Sequence, residues 1–422
     1  MTVDKCPPEL IKCHEIFSLV GATKTEREEG LENVVIVSGV RTAFGTFGGT
    51  LKDVMPTQMA KEVIIEAIRR AGIEKEAVDE VIFGQVIPRT DENNLVPRGA
   101  ALAAGIPETV PAHTTIRGCG SGMQSIISGA RQIMIGESEI IVAGGVESMS
   151  SAPYLSKHTR FGARLRDTLL VDSLWEVLHD PHTGLIMGQT AENIAERHGI
   201  TREEQDEHAL LSNMRALKAI KEGKLKSQIL PLQIKTKKET IVFDTDEHPK
   251  DTSLEKLAKL PPVFKEGGTV TAGNASGIND GASAVVIMSE SRAKSEGITP
   301  LAKIISWGVA GVDPAYMGYG PVPSSRMALE RARMKVSDIE LWEINEAFAA
   351  QYLYCERELG LDKERTNIWG GAIAYGHPVG ASGNRLVVTL IEELKDVDAT
   401  IGLATMCIGG GQGCAMILER MS

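Results

Sequence analysis

The sequence is poor in aromatic residues and in cysteine. Phe, Trp and Tyr make up 4% of its 422 residues, and six cysteines are scattered along the chain. We therefore expect an aliphatic core. A disulfide scaffold is excluded, because six dispersed cysteines are too few for a chain of this length. Glycine is frequent, with 43 residues, but it has no three-residue period, and this excludes a collagen-like fold.

Long hydrophobic runs are also missing. No stretch reaches the ~18 uncharged apolar residues of a membrane span, so no membrane association is expected. The N-terminal segment 1–33 is acidic and lacks the features of a signal or transit peptide, which predicts a cytoplasmic protein. Cys6 and Cys13 have no second ligand pair nearby, so no metal site is expected. A net charge of −11 argues against general nucleic-acid binding.

Strands and helices alternate along most of the chain. Apolar runs predict strands at 33–39, 80–84, 139–145, 302–307, 341–344, 400–405 and 414–418. Helical spacing predicts helices over 58–71, 95–104, 123–135, 324–334 and 347–359, and from about 382. This alternation indicates an α/β fold with a central sheet covered on both faces.

Two similar halves and one insertion account for the length. Gly-led apolar strands ending in Glu occur at 281–290 and 411–419, and small-residue turns open helices after 118 and after 376. The segment 150–273 is more polar, with a charged helix over 201–222, and interrupts the first half. We predict an extension over 1–32, a first half over 33–149 completed by 274–295, an insertion over 150–273 and a second half over 296–422.

Cys119 is a candidate nucleophile. It lies between two glycines and directly before a predicted helix, whose N-terminus favours the thiolate form. Flanking glycines let a substrate approach the backbone N–H groups, which can stabilise an oxyanion. A buried structural cysteine is the alternative interpretation of this residue alone.

Three further polar residues lie among small residues. His377 follows Gly376 within a run of glycine and alanine, Cys407 ends a predicted strand before three glycines, and Asn345 precedes a predicted helix. Taken singly, they could be a turn histidine, a core cysteine and a helix cap. The glycine run after Cys407 is a weak dinucleotide motif, because it leads into a strand rather than a helix.

Together and in this order, these segments resemble the thiolase family from about residue 33 to the C-terminus. The segments that carry the resemblance are Ile116-Arg-Gly-Cys-Gly-Ser-Gly-Met-Gln, Met187-Gly-Gln-Thr-Ala-Glu-Asn, Thr271-Ala-Gly-Asn-Ala-Ser-Gly, Asn345-Glu-Ala-Phe-Ala-Ala-Gln, Gly370-Gly-Ala-Ile-Ala-Tyr-Gly-His-Pro-Val-Gly-Ala-Ser-Gly and Cys407-Ile-Gly-Gly-Gly-Gln-Gly. The resemblance implies a duplicated, layered α/β/α fold with an inserted loop domain over the active site.

The resemblance also implies an activity and its catalytic residues. Thiolases cleave 3-oxoacyl-CoA with CoA, or condense two acyl-CoA molecules, through an acyl-cysteine. Cys119 would be the nucleophile, His377 its base and Cys407 a second acid/base. One oxyanion would be held by His377 and a water on Asn345, the other by the N–H groups of Cys119 and Gly409.

CoA is implied as a substrate, with no permanently bound cofactor. Matching positions that would contact CoA or the acyl group are Met187, Ser276, Ala272, Phe348 and Met317, and the candidate phosphate partners are Arg160 and Lys224 within basic clusters. A solvated charged surface is the alternative interpretation of those clusters. Short-chain biosynthetic members usually carry a His just before the Met-Gly of the Met187 segment, and here Leu185-Ile186 stand there. Substrates with longer or unusual acyl chains therefore remain open.

Two other functions are compatible with parts of the sequence. A ketosynthase or a hydroxymethylglutaryl-CoA synthase is disfavoured by Cys407, which those relatives usually lack. A non-catalytic CoA-binding subunit is disfavoured by the joint presence of Cys119, Asn345, His377 and Cys407.

We predict a thiolase of fatty acid or aromatic acid β-oxidation that forms a homodimer or homotetramer. The extension over 1–32 could bind an accessory protein.

Overall fold

The computed structural model describes residues 31–88, 91 and 95–422, so nearly all of the predicted extension, with Cys6 and Cys13, lies outside it. The strands are β1 (Val34–Thr42), β2 (Gly45–Thr46), β3 (Glu80–Gly84), β4 (Ala112–Thr115), β5 (Ile140–Ser148), β6 (Tyr154–Leu155), β7 (Val171–Asp172), β8 (Ile229–Leu230), β9 (Leu232–Lys235), β10 (Thr240–Phe243), β11 (Asn279–Ser289), β12 (Ala302–Gly311), β13 (Leu341–Ile344), β14 (Ile401–Ile408) and β15 (Gln412–Arg420). The α-helices are α1 (Pro56–Ala71), α2 (Val96–Ala103), α3 (Ser121–Met134), α4 (Ser173–Val177), α5 (Met187–His198), α6 (Arg202–Lys221), α7 (Leu254–Ala258), α8 (Glu290–Glu296), α9 (Pro321–Ala332), α10 (Ala349–Leu359), α11 (Ala372–Tyr375) and α12 (Ser382–Asp396).

A mixed sheet of eleven strands organises the described residues. Its main path is β13-β14-β15-β12-β1-β11-β5-β3-β4, while β2 pairs with β11 and β8 with β1. Every residue of β5 and β11 is buried, because helices cover both faces of these strands. The α/β fold with a covered central sheet, predicted from the alternation of apolar patterns, is confirmed.

The strand pairing repeats between the two halves. β1, β11, β5 and β3 follow one another with antiparallel, antiparallel and parallel pairings, and β12, β15, β14 and β13 repeat that series. The first strand of each series has an irregularity at the same place. There, Ser38 and Ser306 donate their hydroxyls to the carbonyls of Ala67 and Ala328, each at 2.7 Å. The duplication predicted from the sequence is therefore visible in the pairing.

From β3 to β5 in the first half and from β13 to β14 in the second, one spacing relates equivalent residues. Asp79 accepts two successive backbone N–H groups at the start of β5, and Glu340 does the same at the start of β14. The same spacing separates Ser121 from Ser382, the first residues of α3 and α12. These two helices pack against each other and share a core cluster with strands of both halves. Their N-termini, which carry the segments of Cys119 and His377, consequently lie together.

The outer layers are separate for each half. α1 and α2 pack with strands of the first half, and α9 and α10 pack with strands of the second half. The resulting order is an outer helical layer, strands, the shared layer of α3 and α12, strands and a second outer helical layer. Aliphatic side chains dominate these clusters, as the low aromatic content predicts.

The segment 150–273 contributes only β8 to the main sheet. β6 pairs with β7, and β9 with β10, in two-stranded ribbons, and helices α4 to α7 complete the segment. Arg41 of β1 forms two hydrogen bonds with Asp246, at 2.7 and 2.9 Å, and both side chains are buried. This ion pair fixes the segment to the centre of the sheet.

Candidate active site

Cys119 lies in a tight turn two residues before α3. The preceding Gly118 has φ +46°, a left-handed conformation that favours glycine. Cys119 is partly exposed, whereas the other cysteines within the described ranges, 355, 407 and 414, are buried. Cys119 is thus the thiol with access from outside.

The surroundings of the Cys119 thiol keep it protonated. Burial raises its pKa, and this effect outweighs the backbone N–H groups of Gly409 and of Cys119 itself, which point at the sulfur and oppose the shift. The thiolate preference expected from the helix N-terminus is therefore overridden by burial. The same two N–H groups are the donors predicted for an oxyanion, and they converge on the sulfur.

His377 lies in the turn between α11 and α12 with its tautomer fixed by Ser382. The Ser382 hydroxyl donates to the carbonyl of Pro378 at 3.0 Å, so it accepts from Nδ1–H of His377 at 2.6 Å. This assignment leaves Nε2 of His377 unprotonated, so this atom can accept a proton. Burial, helped by the charge of Arg385, lowers the pKa of His377 to about 3, so the imidazole is neutral at neutral pH. Sequence reasoning missed Ser382, whose only signal is its place within the glycine-rich motif.

Asn345 follows β13 and faces His377. Its Nδ2 lies 3.4 Å from Nε2 of His377, and its backbone N–H donates to the carbonyl of Thr405. Its Oδ1 is buried and has no hydrogen-bond partner among the described residues. A buried carbonyl oxygen with a free lone pair can hold a water molecule, which is the role expected for Asn345.

Cys407 is the penultimate residue of β14 and is buried. Burial raises its pKa well above the ordinary value, and the neighbouring Cys119 raises it further. Cys407 is consequently a thiol that can donate a proton. It belongs to an apolar cluster whose members are Met187, Ala191, Val270, Ala275, Met317, Ala347 and Phe348.

This cluster brings together three of the predicted binding residues. Met187, Met317 and Phe348 are members, and the Met187 sulfur lies 3.2 Å from where a side-chain carbon on Gly409 would be. The Ser276 N–H donates to the carbonyl of Ala347 at 2.9 Å, which places its segment beside Phe348. Ala272 is exposed on the same segment.

A second apolar cluster packs against Cys119, and sequence reasoning did not find it. Its buried members are Ile87, Met149, Leu174 and Val379. They come from four separate segments, one after β3, one after β5, one on α4 and one after His377, so no local pattern joins them. Any acyl group on the Cys119 sulfur has these side chains as neighbours.

The structure does not bring Lys224 to this site. Lys224 forms an ion pair with Asp396, the last residue of α12, whereas His377 precedes the first. A helix of 15 residues spans roughly 22 Å, which separates Lys224 from the thiol. Lys224 is therefore left out of the site proposed below. Arg160 is exposed, in a segment whose residues from 157 to 170 are all exposed.

Family models match both halves of the chain. Residues 34–291 match the thiolase N-terminal domain and residues 298–420 the thiolase C-terminal domain. The chain belongs to the thiolase family. The family resemblance predicted from the ordered motifs is confirmed.

Curated and solved thiolases are similar over nearly their whole length. Beta-ketothiolase BktB of Cupriavidus necator is 50% identical over 390 residues, which cover 92% of this chain and 99% of that protein. The crystal structure of the Bacillus anthracis acetyl-CoA acetyltransferase has a TM-score of 0.91 at 52% identity, covering 93% of this chain and 99% of its own. Human mitochondrial 3-ketoacyl-CoA thiolase in complex with CoA has a TM-score of 0.90 at 45% identity, covering 93% and 98%. The predicted thiolase-like fold is confirmed.

The described part of this thiolase lacks a membrane-spanning helix and a cluster of metal ligands. None of its helices is long and apolar enough to cross a membrane. No group of three or more His, Cys, Asp or Glu side chains in that part is arranged to hold a metal ion.

Proposed function

We propose that the enzyme cleaves 3-oxoacyl-CoA with CoA to acetyl-CoA and a shortened acyl-CoA, or runs the reverse Claisen condensation, through an acyl group on Cys119. The observation that carries this proposal is the convergence of two backbone N–H groups, from Cys119 and Gly409, on a thiol that neighbours Cys407. Family membership and the names of the relatives, which include acetyl-CoA acetyltransferase and 3-ketoacyl-CoA thiolase, support the reaction class.

The first half-reaction breaks the bond between C2 and C3 of the substrate. Nε2 of His377 takes the proton of the Cys119 thiol, and the thiolate attacks the C3 carbonyl. The N–H groups of Cys119 and Gly409 stabilise the oxyanion. When the bond breaks, protonated His377 and a water on Asn345 stabilise the acetyl-CoA enolate. Cys407 then gives its proton to the enolate carbon, and acetyl-CoA leaves.

The second half-reaction returns the enzyme to its resting state. The Cys407 thiolate takes the proton of the incoming CoA thiol, and the CoA sulfur attacks the thioester carbon on Cys119. The Cys119 sulfur leaves with the proton held by His377, and the shortened acyl-CoA dissociates. A covalent intermediate of this kind predicts ping-pong kinetics.

We assign the two apolar clusters to the two parts of the substrate. The cluster around Met187, Met317 and Phe348 borders Cys407, so it would hold the acetyl unit and, with Ser276, the adjoining part of CoA. The cluster of Ile87, Met149, Leu174 and Val379 borders Cys119 and would hold the acyl group. Ala272, His248 and Lys250 lie near Ser276 in chain or space and are candidates for the CoA entrance, with the exposed Arg160 as a phosphate partner.

We further propose a degradative role in fatty acid or aromatic acid β-oxidation, in the cytoplasm, with no permanently bound cofactor.

A homodimer or homotetramer is proposed because β4 ends the sheet and exposed apolar side chains surround it, including Leu95, Leu102 and Ile116. The extension over 1–32 would be available to an accessory protein. The insertion over 150–273 would form the loop domain over CoA.

Thiolysis with mass detection of the acyl-enzyme tests the proposed function. 3-Oxoacyl-CoA substrates that differ in chain length and branching are offered with CoA, and the mass added to the protein is located by peptide mapping. Cys119→Ala is expected to lose both the acyl-enzyme and thiolysis. Cys355→Ala, which changes a buried cysteine of α10, is the matched control and keeps both. A Cys119→Ala protein with unaltered turnover would exclude the mechanism.

A further inference from the structure

Glu147 is a buried carboxylate with no role in the chemistry above. It is the penultimate residue of β5 and is completely inaccessible to solvent. Its two oxygens accept the backbone N–H groups of Val86 at 2.9 Å and of Ile87 at 3.2 Å, and the carboxylate also accepts that of Gly380. One side chain therefore joins two segments that are distant in sequence.

Both segments flank the nucleophile. Ile87 and Val379 belong to the apolar cluster that packs on Cys119, and Gly380 ends the turn that begins at His377. The carboxylate of Glu147 consequently holds one wall of the acyl site and the turn of the base in a fixed relation.

The duplicated half shows that the fold itself does not require this charge. The spacing that relates Asp79 to Glu340 also relates Glu147 to Ile408, the last residue of β14. Ile408 is buried and packs on the turn of Cys119, with its Cγ2 3.2 Å from where a side-chain carbon on Gly118 would be. The same strand end is thus built once with an apolar side chain and once with a buried carboxylate, whose burial is costly unless it is hydrogen-bonded.

The packing around Glu147 leaves no room for movement. A side-chain carbon on Gly145 would overlap the carbonyl oxygen of Gly380, and one on Gly380 would lie 2.8 Å from a Glu147 carboxylate oxygen. The turn of His377 therefore rests directly on the backbone of β5. A change at Glu147 is transmitted to that turn.

The charged and titratable groups around Glu147 and Cys119 come from several elements. Burial, with a smaller contribution from Asp280 on β11, raises the pKa of Glu147 to about 8 against the effect of its three N–H donors. The charge of Glu147 is among the causes that raise the pKa of Cys119, while Cys407 and Cys414 are the thiols that face Cys119. The imidazole of His377 faces Arg385.

We propose that Glu147 is a positioning residue for acyl transfer. Its carboxyl group fixes Ile87 and the His377 turn on either side of Cys119, and above pH 8, where the group is ionised, its charge opposes ionisation of the thiol. This proposal rests on the role of Cys119 proposed above.

The test measures the rate of Cys119 alkylation by iodoacetamide as a function of pH, which needs no substrate. In Glu147→Gln the charge is removed, so the apparent pKa of alkylation is expected to fall by about 0.5–1 unit. In Glu147→Asp the charge stays but the side chain is one methylene shorter, so the alkylation profile is expected to match the wild type. Both variants should lose about 10- to 100-fold in kcat for thiolysis, because the segments around Cys119 shift, with KM for CoA within about two-fold.

Glu247→Gln is the matched control. Glu247 also accepts backbone N–H groups of a loop, those of Thr46 and Thr50, without facing Cys119. Its alkylation profile and kcat are expected to stay at wild-type values.

If Glu147→Gln does not fold, the kcat of Glu147→Asp alone tests the proposal. Unchanged kcat in the folded Glu147 variants, or a Glu147→Gln alkylation profile identical to the wild type, would overturn the proposal. Alkylation that persists in Cys119→Ala would contradict the proposed nucleophile instead.

Discussion

Cys119 and His377 are both uncharged in the resting enzyme. Burial raises the pKa of the thiol and lowers that of the imidazole to about 3, so an ion pair between them is disfavoured. In the proposed mechanism the thiolate is generated only when His377 takes the proton at the moment of attack. An uncharged thiol in a partly exposed site also reacts slowly with adventitious electrophiles.

This pairing predicts a pH profile without an acid limb near pH 6.5. A general base works above its own pKa and loses activity as the pH falls through that value, which for His377 is about 3. The value of kcat/KM for thiolysis should therefore be flat from pH 7 down to the onset of unfolding. The measurement is kcat/KM in overlapping buffers with circular dichroism at each pH. An inflection between pH 6 and 7 in folded enzyme would contradict the neutral pair.

Ser382 fixes the tautomer of His377, so its loss should reduce catalysis rather than binding. Ser382→Ala removes the acceptor of Nδ1–H and is expected to lower kcat by about 10- to 100-fold with little change in KM. Steady-state kinetics with acetoacetyl-CoA and CoA measure both constants. Ser125→Ala is the control, since the Ser125 hydroxyl donates only within its own helix, to Gly122 at 2.8 Å. Equal kinetics for the two variants would refute the assignment.

Residues of the site that occur in dense local motifs could be predicted from the sequence, and others could not. Cys119, His377 and Cys407 each lie beside a run of small residues, which marks a place where backbone and ligand approach, and Asn345 lies in a polar pair between a strand and a helix. Glu147 lies in an ordinary buried strand, and only its partners 60 residues away reveal its position. The position of Lys224, beside the C-terminal end of α12, could not be predicted, because a basic cluster in the sequence does not show which end of a helix it will lie beside.

At the scale of elements, the contact between β5 and the His377 turn depends on glycine. Gly145→Ala would place a methyl group onto the carbonyl oxygen of Gly380, and we expect a loss of about 2–3 kcal/mol in the free energy of unfolding. Gly99→Ala in α2 is the control, because its nearest neighbour is a Thr57 methyl at 3.3 Å and alanine favours a helix. Thermal scans at one fixed rate compare the midpoints. A Gly145→Ala midpoint equal to that of Gly99→Ala would be inconsistent with this contact.

Elements whose apolar residues follow a clear helical or strand spacing were predictable from the sequence, and others were not. The strand predicted at 341–344 is β13, and the helix predicted over 58–71 is α1. α5 was missed because its buried face includes Gly188, Thr190 and Glu192, so its hydrophobic pattern is weak. β4 was missed because its residues are only partly buried at the edge of the sheet.

At the scale of the whole molecule, the uncovered end of the sheet predicts self-association. Leu95 and Leu102 are 61% and 45% exposed beside β4, and an apolar patch at a strand edge is a site for pairing. Light scattering should give a mass of two or four chains for the wild type and a lower one for Leu102→Glu. Ile65→Glu on α1, 38% exposed, is the control and keeps the wild-type mass. A monomeric wild type would contradict the prediction.

The duplication could be inferred from paired glycine motifs, but its catalytic consequence could not. The two halves contribute one helix each to a shared layer, so Cys119 and His377, the proposed nucleophile and base, lie at equivalent helix ends. After duplication the halves diverged, and one strand end carries Ile408 where the other carries Glu147. That divergence is invisible without the constant spacing that the strand pairing defines.

The buried ion pair between Arg41 and Asp246 bears on how substrate enters. Separating a buried pair costs about 3–5 kcal/mol, so a state in which the inserted segment swings away would be populated by fewer than about one molecule in a hundred. We therefore expect CoA to reach Cys119 without the inserted segment leaving the sheet. Crosslinking the insertion to the sheet should therefore leave the reaction rate unchanged, because entry and release would not depend on a movement of this segment.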